Sequence, residues 1–210
     1  GNLNALIGPD TSVVNALEWD YIFAAPQTNR LALFNNVQLA TSASTSSTLA
    51  NGIWNLGGIF RTATGASSIV WNGATKGTAG ANATNFASAN YRIGDLFGFG
   101  GLNADLPEMI VYNTALTPTE QQKINSYLAI KYGTTIDQTI PTNYIATDDS
   151  VIWNATTNAG YISGILGIVR DDKEALDQRI SKSTTDTTDV LTIALDSNYT
   201  LVNDDVSRTT

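Results

Sequence analysis

Residues 107–133, PEMIVYNTALTPTEQQKINSYLAIKYG, constrain the fold more than any other stretch, because they specify a helix at both of its ends. Met109, Ile110, Val111 and Tyr112 form a short apolar, β-rich run that predicts a strand, and Asn113 and Thr114 supply turn chemistry after it. Thr117 is placed as N-cap, Pro118 fits the first helical position, where no N–H is needed, and Glu120 completes a Thr-x-x-Glu capping box. Gly133 suits the left-handed residue that closes a helix, and Lys131 stands near the negative end of the helix dipole. Ile124, Tyr127, Leu128 and the methylenes of Lys131 recur at helical spacing, so they are expected to face inward while Gln121, Gln122, Asn125 and Ser126 face water. A helix of about four turns cannot bury such a stripe alone. The rest of the chain must therefore supply a sheet.

At 210 residues the chain is long enough for one large β domain, or for one domain with a smaller appendage. Its hydrophobic fraction of 42% permits a core, but only 14% of residues are charged, and Thr, Asn, Ser, Ala and Gly fill the gap. The surface is then polar without being strongly ionic. Against 11 basic residues stand 19 acidic ones, a net charge of −8, and Lys and Arg form no cluster. Nucleic acid and anionic membrane are poor partners for such a chain. No apolar run approaches the length of a membrane-spanning helix, so no membrane insertion is expected. With no Cys and no His, thiolate nucleophiles, His-dependent triads, structural zinc sites and haem ligation are all excluded. The lack of Cys in a chain poor in Lys and Glu fits an exported bacterial protein, although a cytosolic protein can lack Cys as well. Opening at GNLNALIG and stopping at SRTT, the sequence reads as a piece of something longer, with any export signal outside it.

Along the chain, residues 1–50 read as loops and short strands, with 16–25 (ALEWDYIFAA) of mixed apolar character and 30–34 (RLALF) alternating as a strand. The polar run 41–48 (TSASTSST) reads as a surface loop. Two strands are expected at 53–60 and 68–71, followed by Asn72-Gly73, the strongest short hairpin signal, because a type I′ turn needs positive φ at both central residues. The return strand is weak in sequence, since 74–89 is Gly, Ala, Thr and Asn, and a long loop is an equal expectation there. Order resumes at 91–94. After Gly133 a linker containing Pro141 leads to three expected strands at 150–153, 161–169 and 190–195, with the charged run 170–179 (RDDKEALDQR) read as a single helical turn.

These residues carry a resemblance. Trp54-x-Leu56-Gly57-Gly58, Val70-x-Asn72-Gly73, Tyr91-x-Ile93-Gly94 and Glu108-x-Ile110-Val111-Tyr112-Asn113-x-Ala115-Leu116-Thr117 together resemble the ordered signature of concanavalin A-like domains of the laminin-G type. Glu120 through Tyr127-Leu128-Ala129-x-Lys131-Tyr132-Gly133 is similar to the version found in large bacterial surface and adhesin proteins. Tyr161-x-Ser163-Gly164-Ile165-x-Gly167-Ile168-x-Arg170-Asp171-Asp172 and Leu176-Asp177-Gln178-x-Ile180-Ser181-x-Ser183 resemble the β-rich module that follows it there. The resemblance implies a mainly β chain: an antiparallel β-sandwich, the concanavalin A-like jelly roll, over 1–136, with one amphipathic helix at 117–132 on its rim, and a smaller C-terminal β region over 137–210. It also implies an extracellular location on the bacterial cell surface and a binding role, often towards glycans or host surface proteins and sometimes with Ca²⁺. Neighbouring domains of the same long chain are further expected partners.

The residues offer candidates for each of these roles. A sugar site sets an aromatic face against a ring, flanked by Asp, Asn and backbone donors. Trp71 beside the hairpin tip, and Phe97 with Phe99 in a Gly-rich loop, are candidates, with a core position as the favoured alternative for Trp71; Trp54 and Trp153, in expected strands, belong to the core. Residues 100–105 (GGLNAD) are distantly similar to a Gly-Gly-x-Gly-x-Asp calcium repeat in a single copy, which brings in Asn103 and Asp105. Ca²⁺ needs six to eight oxygens on converging loops. The pairs Asp148-Asp149, Asp171-Asp172 and Asp204-Asp205 are the candidate donors, with an ion pair to Arg170 as the structural alternative for the second. Glycoside cleavage needs two carboxylates across one bond. Glu18, Glu108, Glu120 and Glu174 are the only Glu residues and show no such arrangement, so the expectation is a non-catalytic binding module, with a structural spacer as the alternative.

Overall fold

The computed structural model describes residues 3–22, 30–35, 37–41, 53–82, 85–95, 97, 100–102, 104–183, 191–198 and 201–206. Two compact units emerge. The first comprises Gly1–Leu49, Gly58–Val70 and Thr75–Leu116; the second comprises Ala50–Gly57, Trp71–Ala74 and Thr117–Thr210. These lines differ from the expected division after residue 136, because the helix groups with the C-terminal residues. The described residues are mainly β, with one α-helix, antiparallel sheets and one short parallel contact.

In the first unit, β1 (Leu3–Pro9), β2 (Glu18–Ile22), β3 (Arg30–Asn35), β4 (Val37–Thr41) and β8 (Tyr91–Ile93) form a sheet in the order β4-β3-β2-β1-β8. The two-residue β9 (Gly100–Gly101) pairs β1 in parallel. Leu31, Ala32 and Leu33 are all buried, so both faces of β3 are covered at its centre. A three-stranded sheet follows the order β5 (Gly57–Arg61), β6 (Ser67–Trp71), β7 (Ala74–Ala79). Asn72 at φ 49° and Gly73 at φ 79° make the expected tight turn between β6 and β7, so the return strand does form.

The strand expected at Met109–Tyr112 does not form. Val111 is 77% exposed and Tyr112 51%, and none of the four residues has a hydrogen bond to another described residue. An apolar run of high β propensity still needs a neighbouring strand to satisfy its backbone, and here it has none among the described residues.

The second unit is built on α1 (Pro118–Tyr132). Its ends follow the sequence. The Glu120 N–H donates to Thr117 Oγ1 at 3.3 Å, and the Thr117 N–H donates to Glu120 Oε2 at 2.7 Å. At the other end Gly133 takes φ 63°, and a Cβ there would stand 1.8 Å from the Lys182 carbonyl oxygen, so Gly is required for space as well as for backbone conformation. The inward face matches the expected one in part, since Tyr127 and Leu128 pack against the core. Ser126, Ala129 and Ile130 are buried, while Ile124, Tyr127, Leu128 and Lys131 are only half-buried. Ser126 can lie inward because its hydroxyl donates to the Gln122 carbonyl at 2.8 Å and accepts from the Ile145 N–H at 3.1 Å.

Against that face pack Leu56, Ile136, Tyr144, Ile165 and Leu176. The Tyr144 hydroxyl accepts from the Ile136 N–H at 2.8 Å, and burial pushes its pKa well up. Three antiparallel ribbons complete the unit: β10 (Tyr144–Ile145) with β11 (Val151–Trp153), β12 (Val169–Asp171) with β13 (Leu176–Gln178), and β14 (Ile180–Lys182) with β15 (Thr192–Ala194). Two expectations are corrected here. Residues 161–168 are not strand, since the Tyr161 N–H turns back to the Asn158 carbonyl and the Ile165 N–H is taken by Thr135 Oγ1. The run 170–179 is a hairpin rather than a helical turn, because Val169 pairs Gln178 and Asp171 pairs Leu176.

Candidate functional site

The structure scatters the aromatic candidates. Trp71 is 5% exposed and belongs to the core, so its ring is not offered to a ligand. Phe97 is half-exposed and Asp105 exposed; Phe99 and Asn103 lie outside the described residues.

Three of the candidate metal donors, Asp148, Asp149 and Asp171, lie at or against the turn formed by residues 146–150. The turn closes through Ala146 N–H to the Ser150 carbonyl at 2.9 Å, and Asp149 sits at φ 69°. It is fastened from two sides. From α1, Lys123 Nζ donates to the Thr147 carbonyl at 2.8 Å and pairs with Asp149 Oδ1 at 2.9 Å. From β12, the Asp171 carboxylate accepts from the Thr147 N–H at 2.8 Å, from its hydroxyl at 2.6 Å, and from the Lys173 N–H at 3.2 Å.

Asp148 Oδ1 accepts from the Ser150 N–H at 3.0 Å, and Asp172 pairs with Arg170 Nε at 2.6 Å, the ion-pair alternative read from the sequence. Asp204 is exposed. Among the described residues no three carboxylates are arranged to hold a metal ion. The Asp148 and Asp171 carboxylates accept from N–H and O–H donors of the loops, and Asp149 pairs with Lys123 of α1.

Electrostatics in this turn run in opposite directions. Burial works against the charged form of Asp171, but the hydrogen bonds from Thr147 and Lys173 outweigh it and hold the pKa below the usual carboxylate range. Hydrogen bonds from Ser150 lower that of Asp148. Glu174, half-buried at the hairpin turn, is pushed up to about 6, chiefly by burial and then by the Asp171 charge, with Lys123 opposing. Lys123 and Glu174 were missed as members of a constellation. They lie 51 residues apart in number, and nothing in local spacing links an exposed-looking helix position to a hairpin turn.

This unit also carries an open groove of ≈ 140 Å³ beside the first half of α1, lined by Gln121, Gln122, Asn125, Ile136 and Thr142, with Pro118 and Gly73. Its shape depends on Gly73, where a Cβ would lie 2.5 Å from Ile136 Cγ2. Helical periodicity placed Gln121, Gln122 and Asn125 in water; it did not foresee the 136–142 segment rising beside them.

Comparison with known proteins adds one partial match. Residues 120–210 match a family model described as a domain of unknown function, DUF8202. No curated protein and no solved structure matches the chain.

Proposed function

We propose that the chain is a non-catalytic, extracellular binding module of a large bacterial surface protein of the adhesin kind, meeting glycan or protein ligands through its loops. In this reading the N-terminal residues form a laminin-G-type sandwich, the C-terminal ones its companion module, and Ca²⁺ is an accessory ligand. The observation that carries the reading is the 146–150 turn, which Lys123 holds from one side and Asp171 from the other. A loop fixed in advance loses little conformational entropy when it meets a ligand, which is what a recognition loop requires. A glycan array probed with and without EDTA tests it. Binding in either condition supports the lectin form, and a folded sample that binds nothing in both counts against it.

A second reading, a spacer that positions other modules, is favoured by the same turn seen differently. The carboxylates that would greet a ligand, Asp149 and Asp171, are already engaged with Lys123 and Thr147. Under that reading the fastening serves rigidity alone.

A further inference from the structure

We infer that residues 117–210 are a docking module, and that the partner they fit is the end of a β-sheet: a knob made of Trp54, Leu56 and the Asn72-Gly73 turn. The inference stands apart from what the loops bind. The knob belongs to the second unit, yet its two segments come from elsewhere in the chain, the first leading into β5 and the second joining β6 to β7. Asn72 ties those segments to each other. Its N–H donates to the Leu56 carbonyl at 2.7 Å, its Oδ1 accepts from the Leu56 N–H at 2.7 Å, and its Nδ2 donates to Asn55 Oδ1 at 3.0 Å. The N–H and carbonyl of Leu56 are thus both met inside the knob. Its side chain can then be buried against a partner without stranding a backbone polar group.

The seat answers each feature of the knob separately. Leu56 is buried in the cluster of Ile130, Ile136, Tyr144 and Leu176, and the Trp54 ring stands 6.2 Å from that of Tyr132 at a tilt of 49°. Two carbonyls of the knob are read by the module: that of Trp54 accepts from Thr134 Oγ1 at 3.3 Å, and that of Asn72 from the Asp137 N–H at 2.7 Å. Gly73 is required by the same fit, as its close approach to Ile136 shows. A buried apolar anchor, an aromatic pair and paired backbone acceptors are the means by which protein interfaces gain affinity and register. The covalent link adds no register of its own. Residues 109–115, which precede the module, are exposed throughout, and none of them makes a hydrogen bond to another described residue. Such a tether raises the effective concentration of the knob and leaves its orientation to the seat.

The test cuts that tether in the folded full chain. A site for a sequence-specific protease is placed between Asn113 and Thr114, the folded chain is cleaved, and release of the C-terminal piece from the tagged N-terminal piece is followed on dilution. The expected result is a pair that stays together at micromolar concentration. Leu56→Ala is expected to weaken the pairing about a hundredfold, and Thr134→Val, which removes the hydroxyl that meets the Trp54 carbonyl, about fivefold. Circular dichroism of the uncut variants separates lost docking from lost folding, and Thr134→Val is expected to keep the parent spectrum. Parent pieces that part at micromolar concentration overturn the inference, as do Leu56→Ala and Thr134→Val pairs that hold as tightly as the parent. The glycan array reads the binding-module proposal independently, so either can fail while the other stands.

Discussion

The two units are held together by different means. In the first, backbone ladders run through β4-β3-β2-β1-β8, whose strands of three to seven residues are joined edge to edge. In the second, no ribbon strand among the described residues exceeds three residues and each ribbon has two strands, too little for a sheet to stand by itself. What replaces the ladder there is a capped helix and side chains that reach between loops. Asn72 Oδ1 accepts from the Leu56 N–H at 2.7 Å. Asn203 Oδ1 accepts from the Arg179 N–H at 2.6 Å, while Arg179 Nη1 donates to the Val206 carbonyl at 2.8 Å. The lesson is that the same polar, weakly charged composition supports two solutions, one in which the backbone satisfies itself and one in which Asn, Thr, Asp and Arg do it.

That contrast can be broken or sharpened by substitution. The largest effect is expected at Gly133, where Ala adds left-handed strain and a collision with the Lys182 carbonyl; the cost is about 4 kcal/mol. Hydrogen exchange should show α1 amides losing protection while β2 and β3 amides keep theirs. Equal loss in both units would mean that they do not differ in kind. Leu56→Ala, which empties a place in the helix-packed core, should cost about 3 kcal/mol by denaturant unfolding, with the same partition in exchange. A value within experimental error of zero would remove Leu56 from that core.

Next comes pH. Glu174 has a folded pKa raised to about 6 from 4.5, so its contribution is fully present below the unfolded value and is lost as pH rises through the folded one. Asp171 and Asp148 are lowered, so theirs are present above the unfolded value of 3.8 and lost as pH falls through the folded ones. Glu174→Gln should therefore flatten the decline in stability between pH 4.5 and 7, by about 1 kcal/mol after allowance for solvent screening at a partly exposed site. An unchanged profile in thermal melts across that range would show that Glu174 titrates normally. The smallest effect is expected in the first unit at Val111→Thr, within about 0.5 kcal/mol, because the side chain is 77% exposed. A larger loss would reveal packing that its exposure denies.

How much of this was legible in the sequence depended on whether the signal was local. The capping box of Thr117 and Glu120, the stop at Gly133 and the Asn72-Gly73 turn were all readable, because each is decided within four residues. Strand assignment failed where the deciding fact was a distant partner: Met109 to Tyr112 has the right residues and no neighbour among the described ones, and 161–168 lost its amides to Asn158 and Thr135. The helix face was legible in part: Tyr127 and Leu128 do pack against the core, but Ser126 looks polar and yet lies inside, where both of its hydrogen bonds are met. At the candidate site Asp148-Asp149 and Asp171-Asp172 were read only as separate pairs of possible metal donors; that Lys123 and Thr147 would answer Asp149 and Asp171 depended on tertiary folding alone.

The second unit includes Ala50–Gly57 and Trp71–Ala74, which lie upstream of the segment that matches a family model. A genetic cassette cut to that match would leave without Leu56, and without Asn72, whose carbonyl accepts the Asp137 N–H at 2.7 Å. Transplanted into another gene, it would have to find a substitute plug or remain leaky, so the heritable block and the folding block need not share a border.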